Sequence, residues 1–325
     1  MSARPDVSVV ISNYNTRDRL EACLRSLTSD LETSGLRFEV LVVDDASSDG
    51  SPEMVAASFP AVRLLQTGVN CGYAKANNIG VRAAGGAAVL LLNSDTVVMP
   101  GAIPALHQTL RQSRRLAAVG PVLLNPDHTV QRSCWRYPMT GLVGNMFALF
   151  TVRVWDDYRR WDGARNQCVD WMSSAAMMID RAALDRVGLF DEAFWVYGVD
   201  IDWAVRAHRA GYRFLAVAGA RIIHHGRSSW GTMGTRMRLD HMRSQDRLFR
   251  KHYGRAGWLF YRAAMLCSSA VRLVVWGIPC LLGNRRLDPK VAFLVESVRW
   301  AVRGDRGGTV RYGAPAGGRG FEVPL

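Results

Sequence analysis

The sequence predicts an α/β fold: a mainly parallel sheet flanked by helices, followed by a helical, basic C-terminal extension. Three observations carry that expectation. Short apolar, β-branched runs alternate with segments whose apolar residues recur every three or four positions. Strands covered by helices on both faces read as such continuous runs, because crossover helices shield both sides of a parallel sheet. Charge is also unevenly divided within the overall +13: residues 1–202 carry 19 basic and 22 acidic side chains, residues 203–325 carry 22 and 6.

The elements follow in order. Residues 7–12, with Val7, Val9, Val10 and Ile11, read as the first strand. Residues 17–31 place Leu20, Leu24, Leu27 and Leu31 on one helical stripe. A second strand is expected at 40–43, a short helix at 52–59, a third strand at 62–65, a helix at 73–84 and a fourth strand at 87–92. Further on, 175–179 is an apolar run and 204–210 a helix closed by Gly211.

Ligands on such sheets bind beyond the carboxyl ends of the strands. Those positions hold Asn13-Tyr14-Asn15, then Asp44-Asp45 leading to Ser51, then Asn70-Cys71-Gly72, then Asn93-Ser94-Asp95-Thr96. Asp49-Gly50-Ser51 also reads as a turn into the helix at Pro52. Four acid- or amide-rich loops on one edge make a site for a base, a ribose and, through a divalent cation, phosphates. No G-x-G-x-x-G follows the first strand and no G-x-x-x-x-G-K-[ST] occurs, which disfavours dinucleotide-dependent dehydrogenases and P-loop enzymes. Asp95, at the end of a buried strand, suits Mn2+ or Mg2+, hard cations that take carboxylate oxygen and leave places for substrate phosphates. The six cysteines are scattered without a C-x-x-C pair, so neither a zinc site nor a disulfide framework is expected. A reduced, cytoplasmic chain without a secretory signal is the expectation.

With the blocks of the second half added, the sequence resembles the family 2 glycosyltransferases of GT-A fold, and within them the bacterial rhamnosyltransferase-like enzymes of cell-surface polysaccharides. The matching blocks are 9–15 (Asn13, Asn15), 42–51 (Asp44, Asp45), 70–80 (Gly72, Asn77), 91–96 (Asn93, Asp95), 190–194 (Phe190, Asp191, Glu192, Phe194), 197–202 (Tyr197, Gly198, Asp200, Asp202) and 224–226 (His224, His225, Gly226). The resemblance covers about residues 7–230, and it implies a catalytic domain over 1–233. By resemblance, Asn13, Asn15, Asp44 and Asp45 lie against base and ribose, Gly72 and Asn77 shape the loop over the nucleotide, and Asn93-Ser94-Asp95 stands at the D-x-D-like metal motif. Asp95 is then the first metal ligand, and His224 or His225 completes the metal sphere or serves structurally. The implied donor is a UDP- or dTDP-sugar, with dTDP-rhamnose in view, and the acceptor a lipid-linked or cell-envelope polysaccharide.

The chemistry needs a stabilised diphosphate leaving group and a base for the acceptor hydroxyl. In the family a Glu-Asp pair preceding a helix supplies that base; here the dipeptide is Val199-Asp200. Asp200 is the expected base, Asp202 a second carboxylate, and either is also able to cap the helix. An inverting single displacement is implied. The missing Glu keeps a second reading open, a catalytically impaired binding or scaffolding subunit of a polysaccharide assembly complex.

Residues 234–303 read as a basic, amphipathic helical region for membrane association or dimerisation. Arg236, Arg238, Arg243, Arg247, Arg250 and Lys251 precede an apolar run at 263–283 that Arg272 and Pro279 interrupt. A central Arg costs about 2.5–3.5 kcal/mol on insertion, so a helix lying in the interface of an anionic membrane, on its cytoplasmic side, is favoured over a spanning one. A third helix is expected at 291–302, and a Gly/Arg-rich tail without fixed structure at 304–325. No aromatic-and-basic motif supports nucleic-acid binding.

Overall fold

The computed structural model describes residues 4–135, 161–227, 235–281, 288–303, 310–312 and 321–323. The chain divides into two compact units: Met1–Pro138 with Val154–Thr232, and Met139–Arg153 with Met233–Leu325.

The first unit is built on one nine-stranded sheet. Its strands are β1 (Val7–Asn13), β2 (Phe38–Asp44), β3 (Arg63–Gln66), β4 (Ala88–Asn93), β5 (Thr96–Val98), β6 (Leu116–Leu124), β8 (Gln167–Val169), β10 (Ala176–Asp180) and β11 (Arg213–His224). A separate two-stranded pair joins β7 (Cys134–Trp135) to β9 (Trp171–Met172). The order is β3-β2-β1-β4-β10-β6-β11-β5, with β8 also on β11. β3, β2, β1 and β4 are parallel. β10 enters antiparallel between β4 and β6, and β5 closes the edge antiparallel to β11.

Strand alternation sorts side chains onto the two faces. Val9, Ile11, Val40, Val42 and Leu90 point into a core shared with Leu20, Leu24, Leu27 and Leu31 of the helix α1 (Arg17–Glu32). Each such buried leucine contributes about 1.5–3 kcal/mol of apolar burial. Val10 and Val43 face the other way, against α3 (Tyr73–Ala83), which follows the short α2 (Ser51–Ser58). That helix sits so near β1 that a Cβ on Gly80 would run into Val10. The sheet is therefore covered on both sides, and the loops after β1, β2 and β4 emerge together at one edge.

The helix expected at 204–210 begins earlier, at Val199, and runs to Arg209. Gly198, at φ 82, turns the chain into it without a side-chain cap, so Asp200 and Asp202 lie inside its first turn and neither caps it.

The second unit holds helical residues Thr235–Leu281 and Asp288–Arg303. Gly254 breaks the first stretch at φ 65, ψ −161. A straight helix would separate Met242 and Tyr261 by roughly 28 Å, yet the Tyr261 hydroxyl donates to the Met242 carbonyl at 3.3 Å, so the chain doubles back at Gly254. Met242, Phe249, Tyr261, Trp300 and Ala301 form the core there. Arg262 lies between the rings of Trp258 and Trp300, 4.7 and 5.0 Å from their centroids, and pairs with Asp246 at 3.0 Å. The tail departs from its expected lack of structure: Val310–Tyr312 pairs antiparallel with Phe321–Val323, and the rest of 304–325 lies outside the described residues.

Candidate active site

The loops after β1 and β2 are tied together by the residues the sequence singled out. Asn13 donates to Asp44 Oδ1 at 2.9 Å and to Ser47 Oγ at 3.1 Å. Asp44 Oδ2 accepts from the Ser47 amide. Asn15, exposed and at φ 52, accepts from the Ser48 amide and donates its own amide to Ser47 Oγ. Asp45 fixes the next loop: Oδ1 accepts from Thr67 Oγ1 and the Cys71 amide, Oδ2 from the Gly72 amide at 2.9 Å. Gly72 has φ 85, and a Cβ there would lie 2.6 Å from the Trp195 ring, so only glycine admits that indole. Asn77 is buried, donating to Ser12 Oγ and the Tyr73 carbonyl. Asn13, Asp44, Asp45 and Asn77 thus serve as the frame of the pocket, with their polar atoms engaged inside the protein.

Asn78, part of the 70–80 block but given no role from sequence, joins the two halves of the site. Its amide both accepts from the Phe190 N–H and donates to the Phe190 carbonyl, and it reaches Glu192 at 2.9 Å. Trp203 donates to the Gly188 carbonyl and packs edge-on against Phe190 and Phe214. These contacts fix the helix Val199–Arg209 beside α3. Val199 is fully buried in that packing.

The two acids of this helix are different objects. Asp202 is fully buried, 2.9 Å from Arg206 Nε, and Arg206 donates onward to the carbonyls of Val187 and Leu189. Expected as a second catalytic carboxylate, it instead holds the helix to the 187–189 segment. Asp200 is part-buried and accepts from the Ile201 amide at 2.9 Å, and no cation among the described residues pairs with it. Burial pushes its carboxyl up to about 6, against backbone N–H groups of Ile201 and Ser174 that pull it down.

The second carboxylate of the site is Asp95. His224 Nε2 lies 3.4 Å from Asp95 Oδ1 and 3.3 Å from Asn93 Nδ2. Burial raises the Asp95 carboxyl, but the hydrogen bond and charge that the His224 ring offers in its imidazolium form outweigh it and leave the group below its ordinary value. Of the histidine pair, His224 brings its ring to Asp95, whereas His225 opens a 3-10 turn and donates its backbone N–H to the Asp95 carbonyl.

This corner fits a hard divalent cation. A carboxylate and an imidazole converge, the buried Asn93 Oδ1 has no hydrogen-bond partner, and a Cβ on Gly226 would stand 2.7 Å from His224 Nε2 and 3.1 Å from Asp95 Oδ2. Glycine keeps the space before both donors open. Among the described residues no third His, Cys, Asp or Glu joins them, which leaves coordination places for diphosphate and water.

Tyr73 feels the charge of both carboxylates. Its hydroxyl donates to the Ser174 carbonyl at 3.0 Å, and burial together with the charges of Asp200 and Asp95 pushes the phenol above its ordinary value. The 174–175 backbone links both sides, since the Asn93 amide donates to the Ala175 carbonyl. Tyr73 lies in the 70–80 block without a role assigned to it, and Gln131, a partner of His224, carries no motif; a helix-spaced Asp202–Arg206 pair was the one available signal for the role of Asp202.

The comparisons with known proteins agree with this geometry. A family model described as glycosyl transferase family 2 matches residues 8–175. The chain is 31% identical over 240 residues to an N-acetylglucosaminyl-diphospho-decaprenol L-rhamnosyltransferase of Mycobacterium tuberculosis, covering 69% of this chain and 77% of that protein. It is 28% identical over 219 residues to the low-salt glycan biosynthesis hexosyltransferase Agl10 of Haloferax volcanii, covering 63% and 62%. Among solved structures, a mannosyltransferase of Pyrobaculum calidifontis in complex with GDP-Man and Mn2+ superposes with a TM-score of 0.55 at 20% identity, over 94% of this chain and 89% of that one. GalNAc-T7 with UDP, GalNAc and Mn2+ gives 0.51 at 16% identity, over 68% and 43%. These likenesses establish the GT-A fold.

Proposed function

Because the chain belongs to glycosyl transferase family 2, we propose that it moves a sugar, rhamnose first among candidates, from a UDP or dTDP donor to a lipid-linked or cell-envelope acceptor in one inverting displacement. The observation that carries this reading is the pair of carboxylates whose charge Tyr73 feels: Asp95 beside His224, and Asp200, desolvated and without a cationic partner among the described residues. The rhamnose and lipid-linked parts come from the mycobacterial relative, whose name states both.

In the reaction, the bond from the acceptor oxygen to the anomeric carbon forms as the bond to the diphosphate breaks, and the acceptor proton passes to Asp200. A base must be ionised to accept it, and a carboxyl held near 6 is ionised at neutral pH yet more basic than an ordinary aspartate. Asp202 and Arg206 hold the helix that carries Asp200, and Tyr73 keeps the Ser174 backbone in place against it. Asn13, Asp44 and Asp45 keep the loops that would wall the base and ribose, with Gly72 letting Trp195 close over the last of them. Asp95 and His224 would hold the Mn2+ or Mg2+, which when bound neutralises the departing diphosphate. A thermal-shift screen of sugar nucleotides tests the donor assignment: dTDP- or UDP-sugars are expected to stabilise the protein only with Mn2+ or Mg2+ present, and stabilisation by GDP-sugars alone would overturn it.

The second unit supports attachment to an anionic membrane on the cytoplasmic side. Leu259, Phe260, Val271, Val274, Val275 and Ile278 are exposed at helical spacing, next to Arg250, Lys251 and Arg255 on the same helical stretch. The protein is expected to sediment with phosphatidylglycerol vesicles and much less with phosphatidylcholine ones, with binding weakened by salt and by a Val274→Asp, Ile278→Asp double variant. Failure to sediment, with dimers in solution that the double variant dissolves, would assign this face to self-association instead.

A further inference from the structure

Beyond the site's two cation donors lies a chain of hydrogen bonds that runs from an exposed aspartate, Asp127, to the His224 ring, and the His224 carbonyl fixes its last amide a second time. We propose that the turn at residues 125–129, acting through Gln131, locks the neutral His224 ring in the tautomer that carries its proton on Nδ1 and leaves Nε2 bare toward Asp95.

The chain starts at Asp127, whose ionised carboxylate only accepts. Thr129 Oγ1 donates to Asp127 Oδ1 at 2.6 Å, so its hydroxyl proton is committed and its lone pairs face outward. Asn125 lies 2.8 Å from Thr129 Oγ1 and can meet it only with its NH2 group. The other end of that amide, Oδ1, then accepts from Gln131 Nε2 at 3.1 Å. Gln131 Nε2 also donates to the His224 carbonyl at 3.0 Å, so two acceptors fix the orientation of its amide. The atom left for the imidazole is Oε1, 2.7 Å from His224 Nδ1. An oxygen acceptor there requires the proton on Nδ1. In the neutral ring Nε2 then presents a lone pair, which is what Asn93 Nδ2 meets at 3.3 Å.

The turn is built to hold still. The Asn125 amide bonds the Thr129 carbonyl at 2.8 Å, the His128 amide the Asn125 carbonyl at 2.8 Å, and Gln131 is buried with its own amide on the Leu123 carbonyl at 2.7 Å. Free imidazole favours the proton on Nε2, the wrong tautomer for ligation through that nitrogen. A histidine that binds a cation through one nitrogen is oriented by what the other nitrogen bonds. Gln131 is accordingly a positioning residue, touching neither donor sugar nor acceptor. The inference rests on Asp95 and His224 being the cation donors, but its first measurement does not.

That measurement is 15N NMR of histidine-labelled, metal-free protein at a pH where the rings are neutral, with His224 assigned by its loss in His224→Ala. His224 is expected in the Nδ1–H form, and Gln131→Met is expected to move it toward Nε2–H. An Nε2–H signal in the unsubstituted protein overturns the proposal. The second is Mn2+ affinity by electron paramagnetic resonance with UDP present. Gln131→Met is expected to weaken Mn2+ about 10–100-fold. Thr129→Val, on the exposed turn where the fold is not at risk, is expected to weaken Mn2+ severalfold. If Asp95→Asn and His224→Ala leave Mn2+ binding intact, the cation reading fails and the NMR result alone decides the tautomer. If both abolish binding while Gln131→Met binds as tightly as the unsubstituted protein, the lock is wrong.

Discussion

Asp200→Asn is expected to lower the transfer rate by about 10^2–10^4-fold, the range in which a positioned general base contributes, while donor affinity changes little. The amide keeps the shape of the carboxyl and its backbone contacts and loses only the ability to take the acceptor proton. The same change is expected to stabilise the protein at alkaline pH. Burial holds the folded carboxyl at about 6 against a model value of 3.8, and a raised carboxyl pKa means that folding favours the protonated form. The stability this contributes is complete below about 4 and is lost as pH rises through about 6. Above that, the ionised group costs about 2 kcal/mol, after allowance for its partial exposure, a cost the Asn variant does not bear. Melting curves of the two proteins should therefore coincide near pH 4 and separate by a few degrees at pH 8, the variant being higher. Unsubstituted enzyme should gain kcat/KM with unit slope up to about pH 6 and level off above it. A variant that turns over normally, or melts lower at pH 8, would remove Asp200 from the role of base.

Asp95→Ala is expected to abolish transfer and to weaken Mn2+ on the order of 10^2-fold or more, with chelation of the unsubstituted enzyme by EDTA giving the same loss, reversed on adding Mn2+. His224→Ala should follow it and His225→Ala should cost much less, because the His224 ring lies 3.4 Å from Asp95 Oδ1. Equal loss in both histidine variants would contradict the geometry. Activity that survives EDTA would contradict the cation reading itself, leaving the His224 ring and nearby cations to meet the diphosphate charge.

How much of this could be read from the residues depends on which interactions are local. The parallel strands β1 to β4 were legible because burial on both faces makes each a continuous apolar run, and α1 because its four leucines share one stripe. β10 was visible as an apolar run, but its antiparallel entry between β4 and β6 depends on partners far away in sequence. β11 was not legible as a strand, since Arg213, Gly219 and Arg221 interrupt its pattern and its register shifts between Val217 and Arg221. The early start of the Val199–Arg209 helix turns on Gly198 adopting a positive φ, which moved both acids from a supposed cap into the first turn.

The site divides along the same line. Strand ends and the family resemblance were enough to single out Asp95, Asp200 and the loop residues as candidates. They could not separate Asp200 from Asp202: the difference is that Arg206 occupies one carboxylate and, among the described residues, no charged group pairs with the other. Nor could they choose between His224 and His225, which differ only in that one ends β11 and the next begins a turn. The contacts that give Asn78 and Gln131 their place in the site, to Phe190 and to His224, reach more than ninety residues along the chain, so their roles could not be read locally.

The measurement that bears most directly on a single displacement with Asp200 as base is the anomeric configuration of the product, followed by proton NMR from the first turnovers with a sugar nucleotide of known anomer. The proposed scheme, with Asp200 as base and no enzyme nucleophile, predicts that the anomer inverts in the first product formed. A product that retains the donor configuration would require a covalent or two-step route and would contradict the account.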